Sequence, residues 1–563
     1  MNLKHIIYAA SIVLAGTWST GFAQVSKTNQ HSGKVLVNPS VQALLKNRLF
    51  PKIAVPTTSL TIVDLKGDKI EGQIAACGLQ GIINRSAKDK IYVMNTLCRD
   101  NRGGWKNKPG EGNQAQVGRL LLKELFTGTP QKELKLDPTQ TNPGFMALLK
   151  NYKSVVKGVV IWDPNLEEAT IEAATTIAGQ KDGLIVSPAL AEQLKSYNFP
   201  VIADLRGLFK NNIECVDWLK ANYFKTANHQ IAFTWSHMTT NPENSWGAAN
   251  KDYVVANRLF TFFLDITKHE ECAYYETVVK DYPAGTPVFG WTDEIKADKL
   301  FADYGYFMIP YISVENLTIQ SSYPSVSGTQ PAPKAYPIEK NAVYIAFYVA
   351  DGDNLLHSMV YKPYTICNTA NYGTIPTTWI LNPAIVDLAP LVYNWYQKKL
   401  GNQEIAGMMG DGAPSSDRYA GYLFYCEWSK HYMNQAGFRT MKQMAEAEAV
   451  AWRVQPYVMN SGYAGTDSRG SGPYEYHMDN QTFHIGSLHI SERDQLMKAI
   501  DAAPANQPLF LSVFCGTAVG DVPTSIKNMA DKLKARNDGK KYYFVRSMDL
   551  AATYRVWKGL PIK

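Results

Sequence analysis

The sequence predicts an α/β protein in which an amino-terminal α/β layered region precedes an incomplete or distorted (β/α) barrel. Short apolar runs typical of buried strands alternate with segments whose apolar residues have helical spacing, which favours parallel sheets. This alternation occurs on both sides of a stretch rich in Ser, Pro and Gly at 320–340. The 563 residues are 45% apolar and 19% charged, which is enough to build two or three packed cores.

The first 23 residues have the pattern of a secretory signal peptide. Lys4 precedes an apolar centre at 6–18, and small residues follow before Gln24. The apolar part is too short to span a membrane, so we expect cleavage and export. The sequence therefore predicts a periplasmic or extracellular protein without a membrane span, which starts with an irregular leader at 24–57.

Residues 58–320 form the predicted amino-terminal α/β region. Its apolar runs predict strands, and segments such as 72–85, 169–179 and 212–224 predict the helices between them. The clearest strand candidates are LTIVDL (60–65), KIYVMN (90–95), VVKGVVIWD (155–163), DGLIVSP (182–188), PVIADLR (200–206) and HQIAFTW (229–235).

Residues 321–335 are the predicted linker, and residues 336–563 are the predicted catalytic domain. Six to eight strand–helix units in this region suit a barrel, and an open doubly wound sheet is the alternative. The strand candidates are VYIAFYVAD (343–351), TTWILN (377–382), EIAGMMG (404–410), AVAWRVQPYV (449–458), FHIGSLH (483–489), LFLSVFCG (509–516) and YYFVRSMD (542–549).

Charge and cysteine content exclude some classes of function. The formal net charge of +7 is mild for this length, and no Lys/Arg run exceeds a pair, so nucleic acid is not the expected partner. The seven cysteines are scattered without the spacing of a zinc site. The aromatic fraction of 12% suits a large core, and some of these rings could line a groove for sugars.

Polar residues gather at the carboxyl ends of the predicted barrel strands, where barrel enzymes place their active sites. The first strand ends in Asp351-Gly352-Asp353-Asn354. In an extended chain, Asp351 and Asp353 would point to the same face, about 6.6 Å apart. Two such carboxylates suit acid/base chemistry, and a pair of them is what glycosidic bond cleavage requires.

The candidate catalytic residues are Asp351 and Asp353, with Asp411 as a third carboxylate. Four further polar residues would orient a sugar or polarise its hydroxyl groups: Asn354, His357, Asn382 and His489. Trp379 and Tyr457 are the candidate stacking platforms for sugar rings. No cofactor is expected, although a divalent cation beside Asp351 and Asp353 is an alternative.

Other functions fit the same residues. An apolar strand ending in Asp-x-Asp also occurs in haloacid-dehalogenase-type phosphatases, although Leu355 replaces the expected Thr or Val. A metal-dependent sugar deacetylase would use Asp351 and Asp353 near a cation, with His357 or His489 as a ligand. A glycan-binding protein without catalysis is the alternative from a different class.

The whole pattern resembles the GxGYxYP putative glycoside hydrolase family. In the first half, the resemblance rests on GLQGIINRSAKDKIYVM (78–94) and DYVVANRLFTFFLD (252–265), among others. In the second half, it rests on FYVADGDN (347–354) and TTWILNPAIVDLAPLVYNWY (377–396). It implies an exported carbohydrate-active hydrolase, with an oligo- or polysaccharide as substrate and a barrel-like catalytic domain.

The motif that names this family departs from the family pattern here. It falls at Met409-Gly410-Asp411-Gly412-Ala413-Pro414-Ser415-Ser416, where the two glycines match. Ala413 stands at the position of the first tyrosine, and the second tyrosine and final proline are also absent. The resemblance thus predicts that the DGDN segment retains acid/base chemistry while the altered segment changes what is bound.

Overall fold

A computed structural model of the chain describes residues 50–562 apart from several internal segments. The predicted signal peptide and most of the leader lie outside the described residues. Within the described part, no helix is both long and apolar enough to cross a membrane. The internal segments outside the description are 95–113, 236–250, 284, 292–299, 302–305, 312–313, 411–418, 444–456, 461–472, 477–481, 490–492 and 517–519.

The described residues of the amino-terminal region form three separate parallel sheets, which confirms its α/β class. The first has the order β2-β1-β3, the second β5-β4-β6 and the third β10-β9-β7-β8. The strands are β1 (Ser59–Asp64), β2 (Asp89–Met94), β3 (Gln131–Glu133), β4 (Gly158–Ile161), β5 (Gly183–Val186), β6 (Val201–Asp204), β7 (Asn228–Trp235), β8 (Leu259–Phe263), β9 (Pro287–Trp291) and β10 (Phe307–Pro310).

Helices connect these strands, as the alternating pattern predicts. They are α1 (Ile70–Asn84), α2 (Gln114–Leu125), α3 (Pro143–Tyr152), α4 (Glu167–Lys181), α5 (Pro188–Gln193), α6 (Asn212–Tyr223), α7 (Lys251–Ala256), α8 (His269–Val279) and α9 (Leu317–Gln320). Short 3₁₀ turns lie at Lys153–Val155, Pro164–Leu166, Lys195–Tyr197 and Phe224–Thr226.

Helix α4 illustrates why these segments fold locally. Its first turn carries Glu167, whose negative charge lies near the positive end of the helix dipole. Asp182, in the left-handed conformation, ends the helix and leads directly into β5. All four residues of β4 and of β5 are buried, as expected for parallel strands covered on both faces.

The predicted linker is irregular, and it packs firmly along the second region. The Gly328 amide donates to the Gln435 carbonyl oxygen over 2.9 Å. The side-chain amide of Gln330 donates to the carbonyl of Ile405 and accepts from its N–H, so it satisfies the edge of a strand. The Lys334 amide donates to Asp549 over 2.9 Å. These hydrogen bonds fix the linker against the carboxyl-terminal domain.

In the residues that the structure describes, the carboxyl-terminal region has one sheet of nine strands. They are β11 (Ala342–Val349), β12 (Thr377–Leu381), β13 (Glu404–Gly407), β14 (Thr440–Gln443), β15 (Tyr457–Asn460), β16 (Pro473–Tyr476), β17 (Thr482–His489), β18 (Leu509–Phe514) and β19 (Lys541–Phe544). A π-helix spans His357–Tyr361, and the α-helices are α10 (Lys362–Cys367), α11 (Ile385–Leu388), α12 (Pro390–Lys399), α13 (Tyr419–Ala436), α14 (Arg493–Asp501), α15 (Val522–Lys534) and α16 (Ser547–Trp557).

Strand pairing curls this sheet into a distorted, barrel-like form, as predicted. The order is β12-β13-β14-β15-β17-β18-β11-β19, and β11 also pairs with β12. The amino half of β11 pairs with β19, whereas its carboxyl end pairs with β12. All pairs are parallel except β16 with β17. The β19 strand therefore sits beside only half of β11, which makes the barrel irregular.

The two faces of the curled sheet bury different cores. On β11, Val343, Ile345 and Phe347 join the large core that contains the surrounding helices. Tyr344 and Tyr348 join a separate core with Ile380, Ala406 and residues of α16. We call the face that carries this second core the concave face of the sheet. Because α16 packs against it, a helix fills part of the volume that side chains alone fill in a regular barrel.

Candidate functional site

The candidate site lies where β11 ends, in residues 351–354, which we call the DGDN turn. The strand stops at Val349, and Asp351 adopts a left-handed conformation with φ of 55°. The sequence predicts the two carboxylates on one face of an extended strand, whereas the structure places them in a turn. The Asp351 side chain is 38% exposed, whereas Asp353 is 8% exposed, so the turn places them in different environments.

Gly352 is required by a close approach of the neighbouring strand. A Cβ atom at this position would lie 2.4 Å from the carbonyl oxygen of Ile380 in β12 and 2.5 Å from the nitrogen of Leu381. A glycine between two aspartates allows either a bend or a close approach to the backbone by a ligand. In the structure, the backbone of β12 makes that approach, so Gly352 allows the turn to fold over the next strand.

We expect Gly352→Ala to lower the free energy of unfolding by about 1–3 kcal/mol, because neither backbone can yield without moving a strand. Urea denaturation measures this change. Gly118→Ala in α2 is the matched control, since its Cβ would lie an ordinary 3.4 Å from Met94. Equal stability of Gly352→Ala and the wild-type protein would contradict the close approach.

Asn382 ties together three strand ends around the DGDN turn. Its side-chain nitrogen donates to the carbonyl oxygens of Asp353 and Met409, each over 2.9 Å. Its side-chain oxygen accepts from the Ala384 amide. Its backbone amide donates to the Ser358 hydroxyl, which in turn donates to the Gly352 carbonyl. Asn382 is fully buried, so these bonds position the turn.

The remaining polar residues of the site come from the segment after the turn. Asn354 accepts from the Leu356 amide over 2.9 Å, which starts the following helical turn. His357 opens the π-helix, and its Nε2 lies 3.9 Å from Oδ2 of Asp351. A π-helical turn frequently marks a functional site. Here it brings an imidazole next to the more exposed carboxylate.

Lys362, at the start of α10, is a buried lysine beside the same turn. Its Nζ donates to the carbonyl oxygen of Asp351 over 3.1 Å, and its side chain is inaccessible to solvent. Burial lowers the pKa of this ammonium from 10.5 to about 7. The negative charges of Asp351 and Asp353 act in the opposite direction, and the positive charge of Lys442 adds to the lowering.

The depressed pKa of Lys362 predicts a pH dependence of stability. Between about pH 7 and 10 the unfolded chain holds a proton that the folded protein lacks, so stability rises with pH in this window. This stability is lost as the pH falls from 10 to 7, and below pH 7 both states hold the proton. We therefore expect Lys362→Met to gain stability over wild type at pH 6, by about 3–4 kcal/mol more than at pH 10.

Urea denaturation of both proteins at pH 6 and pH 10 tests this expectation. Lys398→Met, at an exposed position of α12, is the control and should show no such pH-dependent difference. A constant difference between Lys362→Met and wild type at both pH values would show that Lys362 keeps an ordinary pKa.

Two of the predicted site residues, Trp379 and Tyr457, lie away from the DGDN turn. Trp379 is 2% exposed, joins the core on the helix side of the sheet and donates to Gln403, so its ring faces are covered. Tyr457 is the first residue of β15 and is in register with Thr440, at the amino end of the sheet. His489 ends β17 at the carboxyl end, in register with Phe514. Asp411 lies outside the described residues.

Sequence reasoning missed Ser358, Lys362 and Lys442. The sequence does indicate that Lys362 is buried, because it follows the apolar residues of SMVY in a segment that otherwise has the apolar pattern of a protein core. Among the described residues, no group of three or more His, Cys, Asp or Glu is placed to hold a metal ion. A cation beside Asp351 and Asp353 stays a prediction.

The fold and this site define the class of protein. It is a multidomain α/β protein whose barrel-like domain carries an acidic turn at the carboxyl end of a strand, the end at which barrel enzymes hold their active sites. Three domain models of one family match the chain: the GxGYxYP_N second domain at 156–227, the GxGYxYP third domain at 233–322, and the GxGYxYP putative glycoside hydrolase C-terminal domain at 341–555. The chain belongs to the GxGYxYP family, as its sequence motifs predict.

Solved structures support the fold. The chain resembles the crystal structure of a putative hydrolase from Bacteroides thetaiotaomicron VPI-5482, with a TM-score of 0.68 and 19% identity over 88% of this chain and 96% of that chain. A putative polysaccharide deacetylase from Mycobacterium smegmatis gives a TM-score of 0.30 and 11% identity over 42% of this chain and 97% of that chain, which is too distant to support an argument. A comparison with curated proteins gave no match.

Proposed function

We propose that the protein is an exported carbohydrate-active hydrolase that cleaves a glycosidic bond at the DGDN turn. Two findings support this proposal: the family description of the carboxyl-terminal domain as a putative glycoside hydrolase, and the position of the turn at the carboxyl end of β11. The observation that carries it is the pair of carboxylates, Asp351 and Asp353, which lie in different environments within one turn.

The difference in exposure suggests a role for each carboxylate. A general acid works best where water is excluded from the proton that it delivers to the leaving oxygen. Asp353 is the more enclosed group, so we assign it the acid role. Asp351 is open to solvent and lies beside His357, which suits the base or nucleophile that acts on the sugar or on water.

The same turn also supplies the means to hold these groups in place. Ser358 and Asn382 bind the carbonyls of Gly352 and Asp353, so the backbone that carries both carboxylates is fixed before a substrate arrives. Such preorganisation is what keeps catalytic groups within reach of the reacting atoms. We therefore regard Asn382 as a positioning residue.

Release of reducing ends from a panel of oligo- and polysaccharides tests the proposed function. The purified protein is assayed with and without added divalent metal, next to Asp351→Asn and Asp353→Asn. Turnover that both substitutions remove supports a glycosidase. Binding without turnover, unchanged in both variants, would identify a glycan-binding protein instead. Metal-dependent release of acetate or phosphate would identify a deacetylase or phosphatase.

A further inference from the structure

An open cleft lies between α2 and β3, and the described residues that line it all belong to the amino-terminal region. We call it the α2–β3 cleft. Its volume is about 600 Å³, within the range of about 300–1,000 Å³ that is typical of small-ligand sites. Arg119 and Glu133, which line it, are each more than half exposed. A ligand in solution can therefore reach the cleft directly.

One wall of the α2–β3 cleft is a single face of helix α2. Arg119, Leu122 and Lys123 line it, and their spacing of three and four residues places them on the same side of the helix. Phe126, just after the helix, and Ile62 of β1 are buried residues that line the same cleft. The cleft thus combines an apolar floor with charged groups at its edge.

The other wall is one face of strand β3. Gln131 and Glu133 line the cleft, whereas Lys132 between them pairs with Asp89 over 3.0 Å, as expected from alternation along a strand. Glu133 accepts from Nη1 of Arg119 over 3.0 Å. An exposed pair of this kind contributes little to stability, so a ligand can bind to both members at low cost.

The charges that line the cleft indicate what kind of ligand it fits. Among its described lining residues, Arg119 and Lys123 are positive, whereas Glu124 and Glu133 are negative. An anion would meet two carboxylates and a cation would meet two positive groups, so a neutral polar ligand suits the cleft best. The planar guanidinium, carboxylate and amide groups can each form paired hydrogen bonds with neighbouring hydroxyl groups.

Helix α12 of the carboxyl-terminal domain holds the α2 wall in place. Trp395 donates to Glu124 over 2.9 Å, and Lys399 lies 3.3 Å from the same carboxylate. The next residue of α12, Tyr396, donates to the Ser358 carbonyl in the π-helix that follows the DGDN turn. The cleft is thus fixed to the domain that carries the candidate site.

We propose that the α2–β3 cleft is a second glycan-binding site, which holds a neutral stretch of a polysaccharide separately from the DGDN turn. The choice of a glycan as the ligand rests on the proposed function, whereas the cleft and its balance of charges do not. Sugar hydroxyl groups both donate and accept hydrogen bonds, which matches a donor at Arg119 and an acceptor at Glu133. Binding in the cleft raises the effective concentration of the same polysaccharide at the DGDN turn.

Calorimetric titration of the full-length Asp351→Asn protein tests this inference without relying on turnover. The neutral probes are cellohexaose, maltohexaose, xylohexaose and mannohexaose, and hexagalacturonate is the acidic comparison. We expect a neutral probe to bind, and Arg119→Met or Glu133→Gln to weaken its binding about 10-fold, as the loss of a charged hydrogen bond predicts. Lys132→Gln, on the opposite face of β3, is the matched control and should bind normally. Hexagalacturonate should bind no more tightly than the neutral probes.

The outcomes separate this inference from the proposed function. If glycans are cleaved but both cleft variants bind every probe as the parent protein does, the second site is refuted and the hydrolase stands. If binding depends on Arg119 and Glu133 but the wild-type protein cleaves no glycan, the second site stands and the hydrolase fails. Tighter, cleft-dependent binding of hexagalacturonate would contradict a neutral ligand. Because Arg119 and Glu133 are exposed, both variants should melt at the temperature of the parent protein.

Discussion

Asp353→Asn is expected to lower the rate of glycan hydrolysis by about 10²–10⁴-fold, the range that a positioned general acid contributes. An amide cannot deliver a proton to the leaving oxygen, and the enclosed position of residue 353 limits replacement by water. The carbonyl of residue 353 keeps its bond to Asn382, so the turn should remain in place. Initial rates of reducing-end release on the best substrate of the panel measure this loss.

A comparison of leaving groups distinguishes the two aspartates. Dinitrophenyl glycosides depart without protonation, so Asp353→Asn should retain most of its activity on them if Asp353 is the acid. Asp351→Asn should lose activity on both kinds of substrate, because the attack on the sugar does not depend on the leaving group. The reverse pattern would exchange the two roles.

Asp531→Asn on α15 is the control for these variants. Asp531 is half exposed and pairs with Lys527 one helical turn away, an interaction worth only a few tenths of a kcal/mol. The Asp531→Asn variant should hydrolyse glycans at the rate of the wild-type protein. Activity of Asp353→Asn at the same level on natural glycans would remove Asp353 from the mechanism.

The strands of the fold could be predicted because most of them are nearly continuous apolar runs. β11 and β18 read as such runs in the sequence, and in the structure they pair along six residues in the centre of the sheet. β14 was missed because its four residues, TMKQ, alternate between polar and apolar character. Thr440 and Lys442 face the concave side. There Thr440 donates to Glu404, and the charge of Lys442 acts on Lys362 beside the DGDN turn.

The candidate site could be located from sequence, but its geometry could not. The acidic end of β11 follows from the pattern alone, whereas the left-handed φ of Asp351 depends on how the chain turns over β12. Which face Trp379 occupies depends on strand register, because a shift of one residue exchanges the two faces. Thr378 and Ile380 occupy the concave face, and Trp379 therefore points to the helices.

The second large effect is expected in the amino-terminal region, where Lys251 and Glu172 form a buried ion pair. Each side chain is 1% exposed, and Glu172 also accepts from the Thr261 hydroxyl over 2.6 Å. The pair joins the start of α7 to the middle of α4 behind β8. Breaking such a pair from one side leaves an uncompensated buried charge.

Lys251→Met should therefore lower the free energy of unfolding by about 3–5 kcal/mol, measured by urea denaturation at neutral pH. Lys195→Met is the matched control. Its partner Glu192 and Lys195 itself are both more than two-thirds exposed, so the loss should stay within about 1 kcal/mol.

The double variant Lys251→Met, Glu172→Leu separates two contributions to the free energy of unfolding. One is the destabilisation by the unpaired Glu172 carboxylate, and the other is the stabilisation by the ion pair. With both charges gone and apolar side chains in their place, most of the lost stability should return, because burying the two ions was itself expensive. A double variant as unstable as Lys251→Met would mean that Thr261 or the local packing, rather than the unpaired carboxylate, causes the loss. Recovery of stability in the double variant would show that the desolvated Glu172 carboxylate causes the loss in Lys251→Met. The contact between α4 and α7 is then stable with both charged residues or with neither of them.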